Sequence, residues 1–174
     1  KVVAADLSHP TYKDWTDIIP ESDCVLEGAA FIDGKIIASY LKDASTHAWV
    51  YDIIGNRLSE IELPGVGSAG FSGRKDEPWC FYSYSSFTTP GTIYSLDLNT
   101  WESKVFQQPK TAFDLSDLVS EQVFFQSKDG TRIPMFITHK KDLKLDGNNP
   151  VYLYGYGGFD ISLTPGFSSS RVPF

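Results

Sequence analysis

A mostly β chain, in which blades of a β-propeller lead into the first strands of an α/β domain, is predicted by three observations. The first is a repeat. Val3-Ala4-Ala5-Asp6-Leu7, Trp49-Val50-Tyr51-Asp52-Ile53 and Tyr94-Ser95-Leu96-Asp97-Leu98 share an alternating apolar pattern that closes on Asp and an aliphatic residue, and the aspartates stand 46 and then 45 positions apart. The second is composition. Aromatics make up 14% of the 174 residues, beside 14 glycines and 10 prolines, a mixture that favours strands and tight turns over helices. The third is a change of character beyond about Lys110, where the repeat stops and an apolar segment, Val151 to Tyr154, runs into a glycine-rich loop.

The elements follow in order. Each repeated aspartate precedes a turn-prone stretch (Ser8-His9-Pro10, Ile54-Gly55-Asn56, Asn99-Thr100), and strand-like segments such as Ser59–Leu63 and Ser103–Phe106 come next. Ala29–Ile32 and Lys35–Leu41 flank Asp33-Gly34, a two-residue hairpin signal. Trp79–Tyr84 takes the corresponding place one period later. Four short strands per period is the pattern of a propeller blade, and complete propellers have about 4–8 blades. Thr111 to Leu118 reads as turn with room for a short helical turn. Glu121–Ser127 and Thr131–Thr138 flank Asp129-Gly130, another hairpin. Val151–Tyr154, apolar on both faces, suits a strand inside a sheet covered on both sides. The boundary falls near residues 108–112, dividing blades at 1–110 from an α/β portion at 111–174.

Charge and cysteine usage narrow the function. The net charge is -7, and the longest basic run, His139-Lys140-Lys141, is explained by a solvated strand end, so neither nucleic acid nor an anionic membrane is an expected partner. Cys24 and Cys80 form no CxxC and no disulfide framework, which points to a reducing, cytoplasmic setting. No apolar run is long enough to span a bilayer. Met135 is the only methionine and Lys1–Leu7 reads as a strand already under way, so the chain is expected to be a piece of a longer protein.

The chemistry concentrates in Leu153-Tyr154-Gly155-Tyr156-Gly157-Gly158-Phe159. Glycines let backbone approach a ligand closely, while the aromatics bring apolar walls and hydroxyl donors. A serine hydrolase also needs a nucleophile, a base and an orienting carboxylate. No G-x-S-x-G elbow occurs, and Ser168-Ser169-Ser170 reads as polar loop. His9, His47 and His139 read as surface or packing residues. No His/carboxylate set suggests a metal, and no phosphate-binding loop suggests a nucleotide, so no cofactor is expected. What remains is a donor to an oxyanion: a tyrosine hydroxyl on a glycine-flexed loop. Alone, the chain is not expected to hydrolyse anything.

These residues resemble a known family. Ser127–Ile137, His139-Lys140-Lys141, Leu145-Asp146-Gly147 and Leu153–Phe159 are similar to the prolyl oligopeptidases; Ser86–Tyr94 resembles a segment of that family's last blade, and Trp15–Glu21 an earlier one. The resemblance implies a serine peptidase in which a seven-bladed propeller caps an α/β-hydrolase domain and admits short peptides, cut after proline. Residues 1 to about 110 would be the last blades, and the rest the start of the α/β-hydrolase domain. It further implies that Tyr156 donates its hydroxyl to the oxyanion and that Phe159 and Ile161 line the proline pocket. The triad would lie beyond Phe174. Asp160 stands where asparagine is more often expected. The implied partners are a proline-containing oligopeptide and the remaining segments of the same enzyme. Two alternatives stay open: a macrocyclase of the same family, and a non-catalytic propeller interaction module. A G-x-S-x-G elbow downstream of Phe174 would separate the last from the enzymes.

Overall fold

The structure is a computed structural model in which residues 1–172 are described; the last two positions of the expected second segment lie outside the described residues. It opens on a strand pair, β1 (Val2–Ala4) with β2 (Thr16–Ile19). A four-stranded antiparallel meander follows: β3 (Val25–Ile32), β4 (Lys35–Lys42), β5 (Ser45–Tyr51) and β6 (Arg57–Glu60). A second repeats it: β7 (Ser68–Gly73), β8 (Trp79–Ser85), β9 (Thr92–Asp97) and β10 (Ser103–Gln107). These are two complete blades. A separate hairpin, β11 (Leu118–Gln126) with β12 (Arg132–Lys140), comes last.

The repeated aspartates have one local cause. Each accepts a hydrogen bond at Oδ1 from the backbone N–H two residues on: Ser8 at 2.8 Å, Ile54 at 3.0 Å and Asn99 at 2.8 Å. Such a side chain closes a turn on itself and ends the strand before it. Asp52 and Asp97 both mark the end of a third strand, so the β1–β2 pair, with Asp6 between its strands, occupies the third and fourth places of a blade.

Hairpin geometry follows side-chain chemistry only in part. Asp33 and Gly34 both take left-handed φ, 48° and 69°, and close β3 onto β4 as expected. The next turn, Asp43-Ala44, does the same at 49° and 60° without glycine, so no sequence signal marks it. Asp129-Gly130 is not a two-residue turn: Gln126 pairs with Arg132 and leaves five residues in the loop. There Asp129 accepts from the Ser127 hydroxyl and the Thr131 N–H, which hold its carboxyl down at about 2.

The core lies between the blades. Alternation along β4 and β5 puts Ile37, Ala48 and Val50 on one face, where they join Cys80, Tyr82, Tyr84, Leu96 and Leu98 of the second blade. Ile36, Ala38 and Tyr40 face the other way and pack with Ile19 of β2 and with Val2. The first blade is therefore covered on both faces. The strand β7, Ser-Ala-Gly-Phe-Ser-Gly, carries little β preference of its own. It is held by its ladder to β8, by the Thr46 N–H on Gly67 O (2.9 Å) and by the Ala69 N–H on Thr46 Oγ1 (3.1 Å). The hairpin β11–β12 rests on blade ends: Gln122 Nε2 donates to Asp43 O, the Arg132 guanidinium approaches the Asp43 carboxylate at 3.7 Å, and the Phe87 and Phe136 rings are 5.4 Å apart.

The expected architecture needs correction beyond residue 110. Blades joined to the first strands of an α/β-hydrolase domain are not what the chain forms. It is all β, with four antiparallel sheets and no α-helix among the described residues. Val151–Tyr154, expected as a central strand, belongs to no sheet and stands exposed. Apolar character on both faces makes a strand only where other strands offer their edges, and β12 pairs only with β11. Of the stretch Thr111–Leu118, the residues before Leu118 form bends and a turn and no helix, and Leu118 already begins β11. No helix among the described residues is long and apolar enough to cross a membrane.

Candidate active-site loop

After β12 the chain turns at Asp146-Gly147, where Asp146 Oδ1 accepts the Asn148 N–H at 3.1 Å and Gly147 takes φ 84°. Residues 151–156 then belong to no strand, Val151 and Leu153 being 84% and 81% exposed. The loop reverses at Gly158-Phe159-Asp160-Ile161, closed by the Ile161 N–H on Gly158 O at 3.1 Å. Left-handed φ falls on Phe159 (55°) and Asp160 (54°), not on Gly155, Gly157 or Gly158. Glycines adopt this conformation most readily, yet they do not carry the reversal here. Asparagine and aspartate tolerate this conformation best among residues with side chains, so Asp160 suits a place where asparagine was expected. Phenylalanine has no such tolerance, and Phe159 is held there under strain.

Tyr156, Phe159 and Ile161 thus share one loop, and their side chains are 47%, 92% and 56% exposed. The Tyr156 ring folds back over Gly158. A Cβ at position 158 would lie 3.0 Å from the phenol oxygen and 3.2 Å from Cζ, so Gly158 leaves room for the hydroxyl. Positions 155 and 157 meet nothing. The three histidines are engaged elsewhere: His9 with the Ser8 hydroxyl, His47 beside the Trp49 ring, and His139 Nδ1 against Lys140 O.

The loop is tied down on its C-terminal side. Pro165 is fully buried, its carbonyl accepts from Ser68 Oγ at 2.7 Å, and the Phe167 N–H donates to Ser85 Oγ at 3.1 Å. Ser85 Oγ in turn donates to Thr89 O at 3.2 Å. This strap closes one side of an open cleft of about 440 Å³ between the blades, lined by Glu27, Thr46, Ser68, Ser83, Ser85 and Thr164 among others. Beneath it, burial pushes the Tyr84 phenol up, against a lowering hydrogen bond with Ser86. Sequence reasoning missed Ser68 and Ser85. Single serines in short strands carry no signal for contacts 97 and 82 positions away.

The chain is similar to known proteins along its whole length. Residues 1–109 match the family model described as prolyl oligopeptidase, N-terminal beta-propeller domain. A prolyl endopeptidase of Elizabethkingia miricola is 43% identical over 97% of this chain and 24% of its own length. A dual function macrocyclase-peptidase of Amanita bisporigera is 34% identical over the whole chain and likewise 24% of its own length. Among solved structures, one from a study of inter-domain dynamics in two prolyl endopeptidases superposes with a TM-score of 0.86, at 38% identity, over 98% of this chain and 26% of its own. Prolyl oligopeptidase B from Galerina marginata, bound to a 25mer macrocyclization substrate, gives 0.83 at 34% identity over 97% of this chain and 24% of its own. The chain spans about a quarter of the length of the relatives it matches. With the blade pattern and the family model coinciding over residues 1–109, and relatives matching throughout, this chain belongs to the prolyl oligopeptidase family.

Proposed function

We propose that the complete protein is a serine-type peptidase that cuts short peptides on the carboxyl side of proline. In this reading residues 1–110 are its propeller blades, and the segment from 111 onward carries the loop that supplies Tyr156 to the oxyanion and Phe159 and Ile161 to the proline pocket. The nucleophile and its base come from elsewhere in the enzyme. The observation that carries the reading is a tyrosine- and phenylalanine-bearing loop left open to solvent, in a chain matched by prolyl endopeptidases over 97% of its length. Its uncovered apolar side chains, Val151, Leu153 and Phe159, fit a surface completed by the enzyme's remaining segments and by substrate.

The chemistry requires little of this segment. The phenol hydroxyl donates a hydrogen bond to charge that exists only while the tetrahedral intermediate forms. In the complete enzyme, Tyr156→Phe is expected to lower kcat by about 10²–10³-fold with KM nearly unchanged, as for loss of one oxyanion donor. Steady-state kinetics on a proline-containing peptide with a chromogenic leaving group measures it. An unchanged kcat with a raised KM refutes the role. Transfer of the acyl group to a peptide amine is the second reading, supported by the likeness to a macrocyclase-peptidase at 34% identity; we put hydrolysis first because the likeness to a prolyl endopeptidase is greater, at 43%. Mass spectrometry of products from a long peptide substrate separates linear from cyclic outcomes. A non-catalytic propeller module has no use for a hydroxyl on such a loop.

A further inference from the structure

Outside the loop itself, the strap from Leu163 to Ser168 is the segment with the least local reason for its position. It belongs to no sheet, yet Pro165 within it is fully buried. Two serines of the second blade hold it from opposite chemical sides. Ser68 Oγ, at the first residue of β7, donates to Pro165 O at 2.7 Å. Ser85 Oγ, at the last residue of β8, accepts the Phe167 N–H at 3.1 Å. The two serines are register partners across the β7–β8 ladder, so they sit side by side on one rigid sheet edge and grip the strap two residues apart. Proline offers no N–H of its own, so its carbonyl is the group the blade can hold. Between the strap and Tyr156 lie only the turn closed by Ile161 on Gly158 and two further residues, Gly157 and Ser162.

We propose that Ser68 and Ser85 are positioning residues for the peptidase reaction. By fixing Pro165 and Phe167 on the blade, they set where the Tyr156 loop begins its return and so where its hydroxyl sits. The inference rests on the oxyanion reading of Tyr156 given above. Neither serine touches the reacting atoms; both act through the strap. A rigid sheet edge positions a loop more narrowly than solvent-exposed backbone does, and misplacement of a catalytic group by a fraction of an ångström is felt in kcat before KM. The blade thereby takes part in catalysis through its β7–β8 edge as well as covering the site.

The test uses the complete enzyme carrying Ser68→Ala, Ser85→Ala and Tyr156→Phe, singly and combined, with Ser72→Ala on the same strand as a control, since Ser72 Oγ reaches only Phe81 O, at 3.5 Å. Expected is a fall in kcat of about threefold to tenfold for Ser68→Ala, the scale of one hydrogen bond, with KM and melting temperature nearly unchanged. Faster amide exchange over residues 163–168 should accompany it. Ser68→Thr, which keeps the hydroxyl, should restore kcat, and Ser72→Ala should leave it alone. In the Tyr156→Phe background the Ser68→Ala effect should vanish, because its route is through that hydroxyl. Unchanged kcat despite faster strap exchange overturns the proposal, as does a Ser68→Ala effect that persists in full without the hydroxyl. If Tyr156→Phe is itself silent, the oxyanion reading fails first and the positioning role falls with it.

Discussion

Replacing Gly67 by alanine tests whether the two blades are locked at the start of β7. A Cβ there would lie 2.3 Å from Tyr84 Cε2, 2.7 Å from Tyr84 Cζ and 2.7 Å from the carbonyl oxygen of Ser85. The last is backbone of the neighbouring strand and cannot swing away, and the Tyr84 ring is buried in the inter-blade core. The chain at position 67 must therefore retreat. Retreat stretches the 2.9 Å bond from the Thr46 N–H to Gly67 O, which ties the second blade to the first. Overpacking of this kind costs about 1–3 kcal/mol, and a buried backbone hydrogen bond adds about 1 kcal/mol. A loss near 3 kcal/mol follows, read as a lower melting temperature than the parent's. Gly70→Ala, three positions on, is the control: its Cβ would meet only Ser83 Oγ at 3.6 Å, an ordinary contact. It should be neutral or stabilising by under about 1 kcal/mol, since alanine has less freedom to lose on folding. Calorimetry and tryptophan fluorescence on the two variants of the complete protein give the comparison. Equal melting temperatures for both variants, or a Gly67→Ala protein as stable as the parent, would show that the blades do not approach as described.

Three more outcomes are expected. The Asp129 carboxyl lies at about 2 against an ordinary 3.8, held down first by the Ser127 hydroxyl and then by Thr131. Its contribution to the β11–β12 loop is thus complete above pH 3.8 and lost as pH falls through about 2. Protection of the Thr131 amide relative to its intrinsic exchange rate should fall in that window, and Asp129→Asn should abolish the dependence; a fall already at about pH 5 would contradict the assignment. Burial pushes the Cys80 thiol up to about 12, so at about pH 8 it should resist a thiol reagent in the folded protein and react on unfolding. Labelling at the rate of a free thiol would mean that the inter-blade core opens. Phe159→Ala should reduce the preference for proline over alanine at the cleavage site by about tenfold or more, the scale of a lost apolar pocket wall; an unaltered specificity profile counts against its place in that pocket.

The blades were largely legible in the sequence, and the reason is local. The Asp6, Asp52 and Asp97 period, the Asp33-Gly34 turn and the alternation in Lys35–Leu41 each act within a few residues. The missed elements show where locality ends. The β4–β5 turn uses Asp43-Ala44 in a left-handed conformation without glycine, and β7 is a strand because Tyr84, Thr46 and its β8 ladder leave it no alternative. The Tyr156 loop was recognisable from its residues alone, although its reversal is borne by Phe159 and Asp160.

By itself, then, the sequence determined the blade period, the turn chemistry and the chemical content of the loop, because short-range hydrogen bonding and side-chain alternation are written in neighbouring residues. Tertiary structure alone decided that Val151–Tyr154 is no strand and that Ser68 and Ser85 hold Pro165 and Phe167. It also decided that β4 of the first blade packs against neighbours on both faces. A strand needs a neighbour's edge and a strap needs a surface, and both are supplied by residues tens of positions away.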